Sequence, residues 1–333
     1  MSNIFTFHGI GQGLFYSGSI YNQKFNFVYD CGSASPKHKK DFKKEIQSLN
    51  KHLNFVVISH LHDDHINGLP TLLKHSKIDK LFLPYFYKDP NLYSDVFKAS
   101  LIINNIKPYT QAYNIALELY NIDGNYNPSL QENNMEKIFI DNTKEVKDCE
   151  NWKFYFYNQR ISDTDIQYLN HEIRMLIGNK SIEDYVAEVK GSCNDLKKIF
   201  EKITSNHNLT SLVLMHWDES YPQSKTLLTG DVRFDDELRE RVFNDIKEND
   251  KITLQVPHHG ALKEWESLWE PSKNGATTDN IKVQIESFVF SFGQKNSYHH
   301  PYGRILVELL QDSSTKDKIK FVYEATPFEY QVP

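Results

Sequence analysis

The sequence predicts an α/β protein of layered sheets and helices, on three observations. Asn54-Phe55-Val56-Val57-Ile58-Ser59 is a short, β-branched apolar run, which suits a strand buried on both faces. A helical segment from Ile66 to His75 and a second apolar strand, Leu81-Phe82-Leu83-Pro84, follow it, giving strand–helix–strand order. The alternation returns after residue 208, where short apolar runs are separated by helical segments.

Taken in order, Phe5 to Phe15 and Lys24 to Tyr29 read as two hairpin strands around Gly9-Ile10-Gly11-Gln12-Gly13, the second ending at Asp30-Cys31-Gly32. A Lys-rich helix is expected from Lys37 to Leu53. Between 89 and 207, helical stretches (Leu92–Asn105, Gln111–Tyr120, Ile182–Ile203) alternate with Asn-rich loops and one aromatic strand, Trp152–Tyr157. Residues 161–206 read as a helical insertion within a single domain spanning 1–333. Strands are then expected at Ser211–Met215, Thr226–Thr229, Thr253–Val256, Ser287–Phe292 and Ile319–Tyr323, with helices at Asp236–Lys247 and Gly303–Gln311 between them.

Composition excludes several classes. The 38 Lys and Arg against 44 Asp and Glu leave a net charge of −6, which rules out a broad polybasic coat for nucleic acid. No apolar stretch reaches the ~18 residues of a membrane span, and Met1-Ser2-Asn3-Ile4 lacks the parts of a signal peptide. Three distant cysteines, Cys31, Cys149 and Cys193, make no disulfide framework, so a cytoplasmic location without membrane attachment is expected.

The chemistry concentrates in Ser59-His60-Leu61-His62-Asp63-Asp64-His65, directly after a buried strand. His60 and His62, two apart on extended backbone, point the same way and can share one ion. Asp64 and His65 follow where the chain turns into a helix, so their side chains diverge toward a second ion. Two four- or five-coordinate ions need further ligands. Leu228-Thr229-Gly230-Asp231 offers a carboxylate at a strand end that can bridge both ions. Val256-Pro257-His258-His259-Gly260 and Tyr298-His299-His300-Pro301 offer histidine pairs, and spacing alone does not separate His258 from His259. All four segments follow strand ends, where open α/β sheets build their sites.

This combination resembles the metallo-β-lactamase superfamily, and more narrowly the hydrolase domain of the competence protein ComEC and the related phosphorylcholine esterases. The closer likeness is carried by Gly11-Gln12-Gly13, Val28-Tyr29-Asp30-Cys31-Gly32, Asn208-Leu209-Thr210-Ser211-Leu212-Val213-Leu214, Val256-Pro257-His258-His259-Gly260 and Ser291 to Pro301. It covers residues 4–80 and 208–325. The resemblance implies a four-layered αβ/βα sandwich holding one or two metals at an edge. It implies His60, His62, His259 and Asp231 around one ion, and Asp64, His65, His300 and Asp231 around the other. Asp30 would accept a hydrogen bond from a ligand imidazole. Many superfamily members use a histidine before the Gly-Asp strand instead, here His207 or His216, and the narrower resemblance speaks against both. Two departures stand out: His299 replaces a glycine, and Ala261 replaces a serine that could hold phosphate.

The expected chemistry is hydrolysis dependent on two divalent ions, Zn²⁺ or Mn²⁺, which acidify a water nucleophile and polarise the scissile bond. Asp64, His258 and His299 are the candidate catalytic groups, the two histidines for stabilising the oxyanion or protonating the leaving group. The leading expectation is a phosphodiesterase acting on DNA, possibly single-stranded. Its rivals are a small-molecule hydrolase of a lactone, thioester, phosphorylcholine or cyclic nucleotide, and a metal-binding regulatory protein docking a partner through residues 89–207.

Overall fold

The computed structural model describes residues 3–35, 39–86, 92–122, 134–146, 149–159, 161–203, 210–270, 279–294, 296 and 299–332. Three strands open the chain: β1 (Asn3–Phe7), β2 (Phe15–Ile20) and β3 (Phe25–Cys31). Then come α1 (Lys39–Ser48), β4 (His52–Val57), α2 (Asp63–Ile66), α3 (Leu69–His75) and β5 (Lys77–Pro84). Helices α4 (Ser94–Ile103) and α5 (Gln111–Leu119) precede β6 (Glu136–Ile140), β7 (Thr143–Val146) and β8 (Trp152–Gln159). Three helices follow, α6 (Asp163–Ile177), α7 (Ile182–Glu188) and α8 (Asn194–Glu201), before β9 (Ser211–Asp218) and β10 (Ser224–Leu228). The chain continues through α9 (Asp236–Asn244), β11 (Lys251–Gln255), α10 (Leu262–Trp269), α11 (Asp279–Gln284) and β12 (Ile285–Ser291). It finishes with α12 (Gly303–Gln311), β13 (Ile319–Val322) and β14 (Phe328–Val332).

Among the described residues these strands form two seven-stranded sheets, ordered β14-β1-β2-β3-β4-β5-β6 and β13-β12-β11-β10-β9-β8-β7. Strands β3 to β6 run parallel, as do β10 to β13, while the remaining neighbours are antiparallel. Strand alternation sets the layers. In β9, Leu212 and Leu214 enter an aromatic core between the sheets with Phe27, Phe55 and Phe154, whereas Val213 and Met215 face outward beneath α9 and α10. The opposite face of the first sheet carries Val28, Val56 and Ile58 under α1, α3, α4, α5 and α6. Helix, sheet, sheet, helix is the four-layered metallo-β-lactamase sandwich that the resemblance implies.

The structure differs from the sequence reading in places. The opening is three strands rather than two, because Tyr21, Asn22 and Gln23 take positive φ and turn β2 back into β3. Strands β6, β7 and β14 lie on or next to sheet edges and carry many exposed residues, so no apolar run betrays them. The helix expected over Ile182–Ile203 is broken into α7 and α8 where Lys190 (φ 51°) and Gly191 (φ 77°) adopt left-handed backbone. The expected helix start near Lys37 and His207 fall outside the described residues. Helices α6 to α8 link neighbouring strands β8 and β9 of the second sheet, yet pack with α4 over the first. No helix among the described residues is long and apolar enough to cross a membrane.

Candidate metal centre

Because β3 to β5 and β10 to β12 are parallel within their sheets, the loops after β4, β10, β11 and β12 gather at strand C-terminal ends. The sheets meet there: Leu212 N donates to the Ser59 carbonyl at 2.8 Å, and the Tyr29 hydroxyl to the Leu212 carbonyl at 2.6 Å. Helix α2 lies so close to the end of β3 that a Cβ on Gly32 would come within 2.4 Å of the Asp64 and His65 backbone. Gly230 has φ +57°, and a Cβ there would lie 2.9 Å from the Ser59 side chain, so the turn carrying Asp231 accepts glycine alone without strain.

Asp231, 1% exposed, stands at the centre. Its Oδ2 is 3.7 Å from His60 Nε2, 3.8 Å from His62 Nδ1 and 3.6 Å from His258 Nε2. Its Oδ1 is 3.2 Å from His65 Nε2 and 3.8 Å from His259 Nε2. Asp64 completes the second group, with Oδ2 3.2 Å from His259 Nε2 and Oδ1 4.0 Å from His65 Nε2. Two sets therefore have converging donor atoms, His60–His62–Asp231 and Asp64–His65–His259. The two oxygens of Asp231 face different sets, an arrangement that allows one carboxylate to bridge both.

This partition departs from the one the resemblance implies. His259 joins Asp64 and His65, and His258 rather than His259 approaches the His60–His62 side. The reason is local: His258 (φ 48°) and His259 (φ 56°) both take left-handed backbone in the turn after β11, which aims adjacent rings at different oxygens of Asp231. His300 lines the same cavity, its ring 5.5 Å from that of His258, but it lies outside both converging sets. His299 is exposed and does not line the cavity. His216, the alternative before the Gly-Asp strand, sits between the sheets, its Nε2 accepting from the Tyr16 hydroxyl at 2.8 Å. Burial lowers its pKa to about 3.

The imidazoles are held from behind. His65 Nδ1 donates to Asp30 Oδ2 at 2.8 Å. The Ser59 hydroxyl donates to the same oxygen at 2.6 Å and accepts from His60 Nδ1 at 2.9 Å, so one carboxylate orients both rings. His259 Nδ1 donates to the Ser291 carbonyl at 2.6 Å. Each arrangement turns Nε2 toward the cluster, so that Nε2 is the nitrogen a neutral ring offers to an ion. Nε2 of His60 and of His65 is buried without a hydrogen-bond partner among the described residues. Such buried nitrogens facing carboxylates are the donor set of a His/Asp metal site, so the residues fit divalent ions.

Charge is distributed to match. Burial and the neighbouring His65 and His62 hold His60 well below its ordinary pKa, keeping it neutral. Burial opposes ionisation of Asp231, but His65, His258 and His259 outweigh it and hold the carboxyl well below its usual range. Asp64 behaves alike: burial is overcome by His259 and His65, giving about 2. His258 is raised to about 9 because Asp231 and Glu264, the latter's Oε2 3.5 Å from its Nδ1, outweigh burial.

Two supports had no reading in the sequence. Gln255 accepts from Thr229 N and Gly230 N at 2.8 and 2.7 Å and donates to the Gly230 and Val256 carbonyls, pinning the Asp231 turn. Glu264 backs His258 from the first turn of α10. The cluster opens into a cavity of about 410 Å³, which Asn104, directly after α4, and Lys197 on α8 also line.

Comparisons with known proteins bear on this site. The model of the family described as Anti-Pycsar protein Apyc1 matches residues 17–179, a span that includes His60, His62, Asp64 and His65. This family is a different one from the ComEC type. No curated protein sequence matches. Among solved structures, the metallo-β-lactamase fold protein YhfI from Bacillus subtilis superposes with a TM-score of 0.44 at 9% identity, covering 100% of both chains. A CmlA β-hydroxylase mutant gives 0.44 at 11% identity; the match covers 99% of this chain and 54% of that one, so the chain spans about half its length. Zn²⁺-bound PqqB from Methylobacterium extorquens gives 0.40 at 10% identity over 94% of this chain and 86% of that one.

Proposed function

We propose that the protein is a metal-dependent phosphodiesterase whose substrate is a small cyclic nucleotide. The observation that carries this reading is the cavity of about 410 Å³ opening on the His/Asp cluster, a volume in the range of small-molecule sites. The matched family's description, an anti-Pycsar protein, points to a cyclic nucleotide role and supports the same substrate class. The DNA substrate expected from sequence calls for the same bond cleavage but for a groove that a polymer can traverse, and the net charge of −6 adds nothing for one.

His60, His62 and Asp231 would hold one divalent ion and Asp64, His65 and His259 the other, with Asp231 shared. Ions bound there would supply Lewis-acid polarisation of a phosphoryl oxygen and an acidified water. The chain's own residues do the rest. Asp30 and Ser59 fix the tautomers of His65 and His60. Gln255 holds the Asp231 turn rigid. His258 presents Nε2 toward Asp231 with Glu264 behind its Nδ1, the arrangement that protonates a departing alkoxide. Water adds across one P–O ester bond, its hydroxyl going to phosphorus and a proton to the leaving oxygen, so a cyclic diester opens to a linear monoester.

The test is incubation of Mn²⁺- or Zn²⁺-loaded protein with 3′,5′-cyclic mononucleotides and, separately, with labelled single-stranded DNA. Ring opening to the monophosphate, lost in His62→Ala, is the expected result. Cleavage of DNA with cyclic nucleotides untouched would replace this substrate with a polymer, and turnover of neither would end the phosphodiesterase reading.

A further inference from the structure

We infer that the helices packed over the first sheet supply the half of the site that selects substrate, with Lys197 on α8 binding an anionic phosphoryl oxygen and Asn104, directly after α4, a hydrogen-bonding group beside it. The inference rests on the phosphodiesterase reading and adds to it the residues that choose the ligand.

The loops after β4, β10, β11 and β12 contribute carboxylates and imidazoles to the cavity, and neither type is a permanent cation. Lys197, on α8, is the only lysine or arginine among the described residues that line it. Its neighbours on the same helix are engaged: Lys198 Nζ lies 3.1 Å from Asp195, and Lys202 Nζ 2.6 Å from Glu172. No carboxylate among the described residues lies within ion-pair distance of Lys197. A half-buried ammonium in a cavity, left without a counter-charge, awaits an anion.

Asn104 provides the second, independent observation. It follows α4, is 6% exposed and lines the same cavity. Its Oδ1 is buried without a hydrogen-bond partner among the described residues. A buried amide oxygen left unpaired is destabilising, and a ligand N–H or O–H removes that cost. The backbone of Asn104 is already tied in, since Asp63 N donates to its carbonyl at 3.4 Å, which links this wall to the metal-cluster helix α2. An anion and a donor on one small molecule describe a nucleotide, with its phosphate on Lys197 and a ribose hydroxyl or base N–H on Asn104.

The experiment pairs two readouts on metal-loaded protein: affinity for inorganic phosphate by calorimetry, and KM and kcat for a cyclic mononucleotide. Lys197→Met and Lys197→Gln should each weaken phosphate binding and raise KM about tenfold, with kcat changed less than threefold; Lys197→Arg should recover most of the loss. Asn104→Ala should raise KM for the nucleotide several-fold and leave phosphate affinity unchanged. Thermal melts within 2 °C of wild type are expected for the Lys197 variants. If wild type turns over the nucleotide while both neutral Lys197 variants match it in KM and phosphate affinity, the inference is overturned and the phosphodiesterase reading stands. If phosphate binding depends on Lys197 but no phosphodiester is turned over, the anion site holds and the reading of the reaction fails.

Discussion

Asp30 Oδ2 lies 2.8 Å from His65 Nδ1 and 2.6 Å from the Ser59 hydroxyl, whose oxygen accepts from His60 Nδ1. One fully buried carboxylate thus sets the tautomer of a histidine in each half of the cluster. Asp30→Asn keeps the shape but swaps an acceptor pair for a mixed one. The expected outcome is a 10–100-fold loss of metal affinity, read by competition with a chelator. Unchanged affinity would deny Asp30 this role.

The turn that carries Asp231 depends on Gln255, whose amide makes hydrogen bonds to Thr229 N, Gly230 N and two carbonyls. Gln255→Leu leaves those backbone groups buried and unpaired. A loss of about 2–4 kcal/mol in urea unfolding is expected, together with weaker metal binding.

Glu264 backs His258 at 3.5 Å and favours its protonated form. Glu264→Gln should lower kcat about tenfold with KM nearly unchanged and shift the basic limb of the pH–kcat profile to lower pH. Loss of KM alone would place Glu264 in binding instead.

The His60–His65 motif was legible because its spacing follows a buried strand, and the structure brings Asp231 and His259 to it from segments that the strand-end pattern had marked. The split between His258 and His259 was not legible. It is decided by consecutive left-handed residues, and a side-chain pattern carries no signal for backbone hand. Gln255, Glu264 and Lys197 were hidden for another reason: each is an ordinary polar residue whose role comes from what tertiary packing sets beside it. Ser59 was in view within the motif, yet its relay exists only because Asp30, 29 residues earlier, folds against it. The edge strands β6, β7 and β14 escaped because exposed faces remove the apolar pattern on which strand reading depends.

His216 gives a pH signature away from the cluster. Its pKa falls from the ordinary 6.5 to about 3 through burial among Phe5, Phe27, Trp152 and Phe154. The unfolded chain therefore binds a proton that the native protein refuses between these values, so stability falls as pH drops from about 6.5 toward 3 and is unaffected above. Compared with His216→Leu in the presence of a chelator, wild type should lose about 3 kcal/mol more between pH 6.5 and pH 4. Parallel stability curves for the two proteins would contradict the assignment.

A carboxylate facing both His/Asp sets should couple them, and this is checked by metal stoichiometry on wild type and Asp231→Asn after equilibration with Zn²⁺ or Mn²⁺. Two ions per wild-type chain are expected, and a loss of both tight sites in the variant, with folding retained. Two tightly bound ions in Asp231→Asn, or none in wild type, would contradict it.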